Sequence, residues 1–72
     1  MRKYFINQHD NTSLIVGGVK MLKEFTTELI SVGVVGGQIC INGQKLKIAR
    51  FDENEIEIVG KIENVETITS RV

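Results

Sequence analysis

Residues 28–60, ELISVGVVGGQICINGQKLKIARFDENEIEIVG, decide the fold of this chain. They read as four β-strands joined by three tight turns. Side chains of a strand alternate between two faces, so a wrong register moves the whole apolar set to the wrong side. With Gly36-Gly37 as a two-residue loop, diglycine supplies the positive φ that hairpin turns need; Val34 then faces Ile39 and Val32 faces Ile41. Asn42-Gly43 is the strongest short hairpin signal in the chain. It sets Ile39 opposite Leu46, and a loop at Gly43-Gln44 keeps the same parity. Asp52-Glu53-Asn54 as a three-residue loop sets Ile48 opposite Ile58, Arg50 opposite Ile56 and Leu46 opposite Gly60. Under all three turns Ile30, Val32, Val34, Ile39, Ile41, Leu46, Ile48, Ile56 and Ile58 share one apolar face. The opposite face carries Lys45, Lys47, Glu57 and Lys61, and cross-strand charge pairs there contribute about 0.2–1 kcal/mol each.

That opposite face also holds Leu29, Val35, Cys40, Ala49, Phe51 and Val59. Either the chain folds its own termini over them or they meet another subunit. Upstream, residues 12–16 form a short strand, Gly17-Gly18 a second diglycine turn, and residues 19–25 the returning strand. Val16 then faces Val19, Leu14 faces Met21, and Phe25 continues the apolar face. The stretch MLKEFTTELI also fits a short helix through Leu22, Phe25, Leu29 and Ile30; the Thr26-Thr27 pair and the preceding diglycine favour strand, turn, strand. After Gly60, the spacing of Ile62, Val65 and Ile68 breaks alternation, which calls for a bulge near Glu63-Asn64 or a strand that switches faces. Residues 1–11 read as a flexible arm whose Tyr4-Phe5-Ile6 either adds an edge strand or docks on a neighbour; residues 12–68 form one β domain and 69–72 a frayed tail. The expected fold is therefore all-β: a small antiparallel meander of about seven short strands forming a compact barrel or sandwich.

The chain has 72 residues, nine basic and nine acidic, and no net charge. A domain this small is marginally stable alone, and oligomerisation is a common remedy. Zero net charge argues against electrostatic binding to nucleic acid or an anionic bilayer. The single cysteine, Cys40, cannot form an internal disulfide and reads as a small thiol in a reducing compartment. No apolar run approaches a secretory core or a membrane span, so a cytoplasmic protein without direct membrane insertion is expected. Gly17-Gly18 lacks the Lys-Ser/Thr of a phosphate loop. Cys40 and His9 are the only cysteine–histidine combination, one mid-strand and one in the arm, so no catalytic residue, metal site or cofactor is expected. The run Asp52-Glu53-Asn54-Glu55 reads as a solvated hairpin tip.

The order of elements resembles the YabP/YqfC family of endospore-formation proteins. The resemblance rests on Leu14-Ile15-Val16 with Gly18-Val19-Lys20, Glu24-Phe25 with Glu28-Leu29-Ile30, Gly37 to Gly43, Leu46-Lys47-Ile48, and Glu55 to Glu66, together covering residues 13–68. The chain departs from the family pattern at Val34-Val35-Gly36, where members commonly carry a threonine, and in residues 1–11. The resemblance implies a mother-cell factor of spore development, peripheral at the forespore membrane, beside a membrane-protein partner. It carries no catalytic residue over. Gly18, Gly37, Gly43 and Gly60 read as turn or close-approach positions.

The expected function is a non-enzymatic scaffold that forms homo-oligomers and docks that partner through Phe25, Val35, Phe51 and Val59. Its structural turns are expected at Gly17, Gly18, Gly36, Gly37, Asn42 and Gly43. The alternative is a small nucleic-acid-binding barrel of the OB or Sm type, which needs a basic groove and stacking aromatics. Only Tyr4, Phe5, Phe25 and Phe51 are available for stacking.

Overall fold

In the computed structural model, which describes residues 4–69, the chain runs through six strands: β1 (Phe5–His9), β2 (Ser13–Gly17), β3 (Val19–Phe25), β4 (Leu29–Val34), β5 (Gly37–Asp52) and β6 (Glu55–Thr69). All pair antiparallel in one sheet of order β1-β2-β6-β5-β4-β3. One residue, Gly18, separates β2 from β3, yet four strand intervals lie between them in that order. Four intervals span roughly 19 Å at ~4.8 Å each, while two Cα–Cα steps reach at most about 7.6 Å. The sheet must therefore fold over on itself. Its inner face becomes one core: Leu14, Val16, Ile30, Val32, Ile39, Ile41, Ile56 and Ile58 are fully buried. Gly18 turns the corner at φ +82°, and Val19 N–H donates to the carbonyl of Asn54, tying the crossover to the β5–β6 tip at 2.9 Å. No ladder joins β1 or β2 to β3, so the sheet stays an open, sandwich-like fold and does not close into a barrel.

The β5–β6 hairpin makes the fold possible. Its strands are 16 and 15 residues long. β4 pairs with residues 37–42 of β5, and β2 pairs with residues 55–59 of β6, at opposite ends of the hairpin. Between them the ladder bends. Glu63 is left over on β6, Lys45-Leu46 oppose the single residue Gly60, and Ala49 is left over on β5. Lys45 adopts φ +55° and Gly60 φ +135°. A Cβ on Gly60 would meet the Lys45 carbonyl at 2.6 Å and the Leu46 Cα at 2.9 Å. Two turns brace the bend from either side. Gly43 N–H and Leu46 N–H donate to the carbonyls of Glu28 and Thr27, while Gly60 N–H and Ile62 N–H donate to those of Thr12 and Asn11. The Thr26 hydroxyl shapes the first of these turns by accepting from the N–H groups of Glu28 and Leu29.

The expected apolar face is the observed core, with Ile48 half-buried at its rim. The expected bulge near Glu63-Asn64 and the strand–turn–strand reading of residues 20–30 are both present. Several turns differ. Asn42-Gly43 is no hairpin: it lies inside β5, where Gly43 lets the Lys61 carbonyl come close. A bulge at Lys45 switches the apolar parity from Ile39 and Ile41 to Leu46 and Ile48, as a two-residue turn would have done, so six strands replace the expected seven. The β4–β5 loop is Val35-Gly36, with Val32 opposite Ile39 and Ile30 opposite Ile41. Only Gly36 takes positive φ there, and Gly37 instead clears the Ile68 carbonyl. The last loop is Glu53-Asn54; Ile48 does oppose Ile58, but the Ala49 bulge sets Arg50 opposite Glu57 and Phe51 opposite Ile56.

The β2–β3 hairpin is also absent. β2 pairs with β1 and β6, and Gly17 is a strand residue over which the Phe5 ring lies, in the space a side chain would fill. Residues 5–9 of the expected arm thus form an edge strand, because Tyr4 and Ile6 pack on the core. Two register shifts in β3 replace alternation with Val19, Leu22 and Phe25 opposite the inner residues of β4, leaving Met21 on the outer side. β6 ends at Thr69; the rest of the expected frayed tail lies outside the described residues.

Gly60→Ala is expected to lower the unfolding free energy by about 2–4 kcal/mol, through a disfavoured φ and a backbone clash together. Gly36→Ala, with φ +88° and open space around it, should lose only about 1–2 kcal/mol. Urea unfolding of both variants checks the order; equal losses would mean that the bend tolerates a side chain.

Candidate interaction surface

Folding the sheet inward leaves two outer faces, and they differ in chemistry. On the half built from β1, β2 and the tip of the β5–β6 hairpin, Arg50 is clasped by three carboxylates. It lies 2.9 Å from Asp52, 3.4 Å from Glu55 and 3.6 Å from Glu57. The cross-strand rows Arg50–Glu57 and Asp52–Glu55 place these groups side by side. The bond to Glu55, then that to Asp52, raises the Arg50 pKa further above its ordinary value, so the guanidinium stays charged at any working pH. Glu53 forms no ion pair among the described residues, and the tip as a whole is acidic.

On the half built from β3, β4 and the base of the hairpin, one row crosses four strands: Met21 opposite Gly33, Gly33 opposite Gln38, Gln38 opposite Ile68. Gly33 contributes no side chain, so the row sinks in the middle. The result is a groove of about 570 Å³ with Met21 and Ile68 on its walls and Lys20 and Lys23 along its rim. Met21 is 54% exposed and Ile68 42%. Lys23 Nζ donates to Gln38 Oε1 at 3.1 Å, laying its aliphatic stem beside Gly33. One row further along, Ser31 is buried and its hydroxyl lies 3.6 Å from the Cys40 sulfur, which also receives a weak contact from the Gln38 amide. His9 lies on β1 opposite Ser13, so the fold does not bring it to Cys40.

The family comparison matches residues 2–71 to the YabP family. The chain belongs to the YabP family. No curated protein and no solved structure gives a match.

On this YabP-family fold the four expected contact residues do not form one surface. Phe25 and Val35 stand at opposite ends of the β3–β4 hairpin, because Phe25 pairs with Ile30 while Val35 follows Val34, the partner of Val19. Phe51 lies at the rim of the inner face opposite Ile56, and Val59 is half-buried on the outer face beside Ser13 and Lys47. Phe25, Val35 and Phe51 are about half exposed, each in a different place. Of the expected structural turns, Gly18 and Gly36 sit in connections; Gly17, Gly37, Asn42 and Gly43 lie within strands. A β2–β3 turn would send Met21 to the core, and the broken alternation of Ile62, Val65 and Ile68 leaves the face of Ile68 unassigned, so neither residue stands out from sequence as part of an outer surface. Their common signal is Gly33, a glycine flanked by valines within a strand pattern, which marks a close approach over its empty side.

Arg50→Gln is expected to leave the fold intact and to shift the melting temperature by only a few degrees, because Arg50 and Asp52 are exposed and Glu55 and Glu57 are only half-buried. The difference should close in about 0.5 M salt, where screening acts within ~4–5 Å. A large shift that persists in salt would make the clasp a packing element.

Proposed function

We propose that this chain is a non-enzymatic scaffolding protein of endospore formation, which self-associates and docks a membrane-protein partner. Membership of the YabP family supports the sporulation setting. Among the described residues no helix is long and apolar enough to cross a membrane, and the proposed route to the membrane is therefore the partner. The observation that carries the docking part is the groove between Met21 and Ile68. It presents flexible apolar side chains on a sheet whose strands are otherwise spent on the core. Its two lysines offer ends for an acidic segment. Methionine adapts its shape to different apolar partners, and interfaces are anchored by a few side chains seated in such depressions.

The test is a paired substitution, Met21→Glu with Ile68→Glu, in the sporulating host. Both side chains are exposed, so the purified variant should keep its circular dichroism and melting temperature. Heat-resistant spore yield should fall markedly, since loss of two apolar anchors weakens an interface about tenfold or more. A folded, normally expressed variant with undiminished spore yield overturns the groove as the docking site.

A further inference from the structure

The sheet ends in two edge strands, β1 and β3, and an edge offers unpaired backbone groups to any further strand. The two edges are built differently. In β3 the register with β4 breaks twice within seven residues, between Val19 and Met21 and again between Leu22 and Glu24. The same strand carries Lys20, Lys23 and Glu24, and its first N–H is already bonded to Asn54. Bulges and lysines are the standard protection of an edge. β1 has neither. Its five residues, Phe5-Ile6-Asn7-Gln8-His9, run in unbroken register with β2 and carry no formal charge with His9 neutral. They are held firmly in the plane of the sheet, with Ile6 packed on the core and the Phe5 ring lying over Gly17.

We propose that β1 is the self-association surface, pairing antiparallel with β1 of a second copy about a two-fold axis at Asn7. This rests on the self-association reading above and names its site. The register sets Phe5 opposite the partner's His9, Ile6 opposite the partner's Gln8, and Asn7 opposite the partner's Asn7. Each pair keeps the inner and outer faces of the sheet continuous across the axis. The second copy is the fitting occupant because an uncharged strand meets no like charge in its own image, and Asn7 amides facing across an axis can bond reciprocally. β3 is the poorer mate for β1, since its bulges break the ladder that β1 offers. An isologous contact of this kind closes at two copies, and the guarded β3 edges at either end stop the sheet from growing further. A five-residue strand contact is smaller than the roughly 800 Å² per partner of a standard stable interface, so monomer and dimer exchange with concentration.

Light scattering over a concentration series tests this with the full chain, Asn7→Lys, Asn7→Glu and an equimolar mixture of the two variants. The wild type should rise from monomer to dimer mass. Each variant alone should stay monomeric, because it opposes like charges on the axis, and the mixture should recover the dimer. A second measurement guards against a misfolded variant: Asn7→Cys on a Cys40→Ser background should form an intermolecular disulfide under mild oxidation, whereas Lys20→Cys on that background should not. A wild-type dimer indifferent to both charges, or an Asn7→Cys chain that fails to cross-link, overturns the β1 site while self-association stands. A wild-type monomer at every concentration removes both.

Discussion

The whole structure depends on one constraint: among the described residues there are strands and no helix to lie over the apolar face, so the sheet must cover that face with itself. The fully buried isoleucines, leucines and valines come from β2, β4, β5 and β6 alone. Burial of each such side chain is worth about 1.5–3 kcal/mol, which is large beside the few kcal/mol of net stability usual for a domain of this size. The bend in the β5–β6 hairpin is where that gain becomes accessible. It concentrates the unfavourable geometry, with Lys45 at positive φ and Gly60 pressed against the opposite backbone. The turns at residues 11–12 and 27–28 satisfy backbone groups that the bend would otherwise leave bare.

Once the inner faces meet, the outer faces are what remains for function. One bears the Arg50 clasp, whose charges satisfy one another locally, and carries an acidic tip. The other bears the groove from Met21 to Ile68. The two halves therefore differ in chemistry: one is a charged, solvated surface, and the other presents adaptable apolar groups with a cationic rim. The edges add a third kind of surface. β3 combines the groove's lysines with bulges that deter strand addition, so residues that line the candidate docking site also protect the backbone beside it.

Much of the core was legible in the order of residues, because alternation of apolar side chains records which face each one occupies. The location of the turns was not, and the reason is physical. A two-residue turn at Asn42-Gly43 and a bulge at Lys45 impose the same change of phase on the pattern from Ile39 to Ile48. Likewise, a three-residue loop ending at Asn54 and a two-residue loop with a bulge at Ala49 both set Ile48 against Ile58. Parity cannot separate a reversal of the chain from an added residue in a straight run. The diglycines misled for a related cause. Gly17 and Gly37 are small because another group lies over them, Phe5 in one case and the Ile68 carbonyl in the other, and only their neighbours Gly18 and Gly36 turn the chain.

By itself, then, the sequence determined that this is an all-β chain, most of the residues that form its core, that alternation breaks after Gly60, and the family resemblance that the comparison bears out over residues 2–71. Those follow from alternation and local turn chemistry, which are properties of neighbours along the chain. Tertiary structure alone decided that β5 and β6 are single long strands, that β3 crosses to the far edge, that residues 5–9 join the sheet, and that Met21 and Ile68 share a groove. Each of these depends on which strands lie side by side. That choice was made by the folding of the sheet about the bend at Gly60, where residues far apart in sequence come into contact.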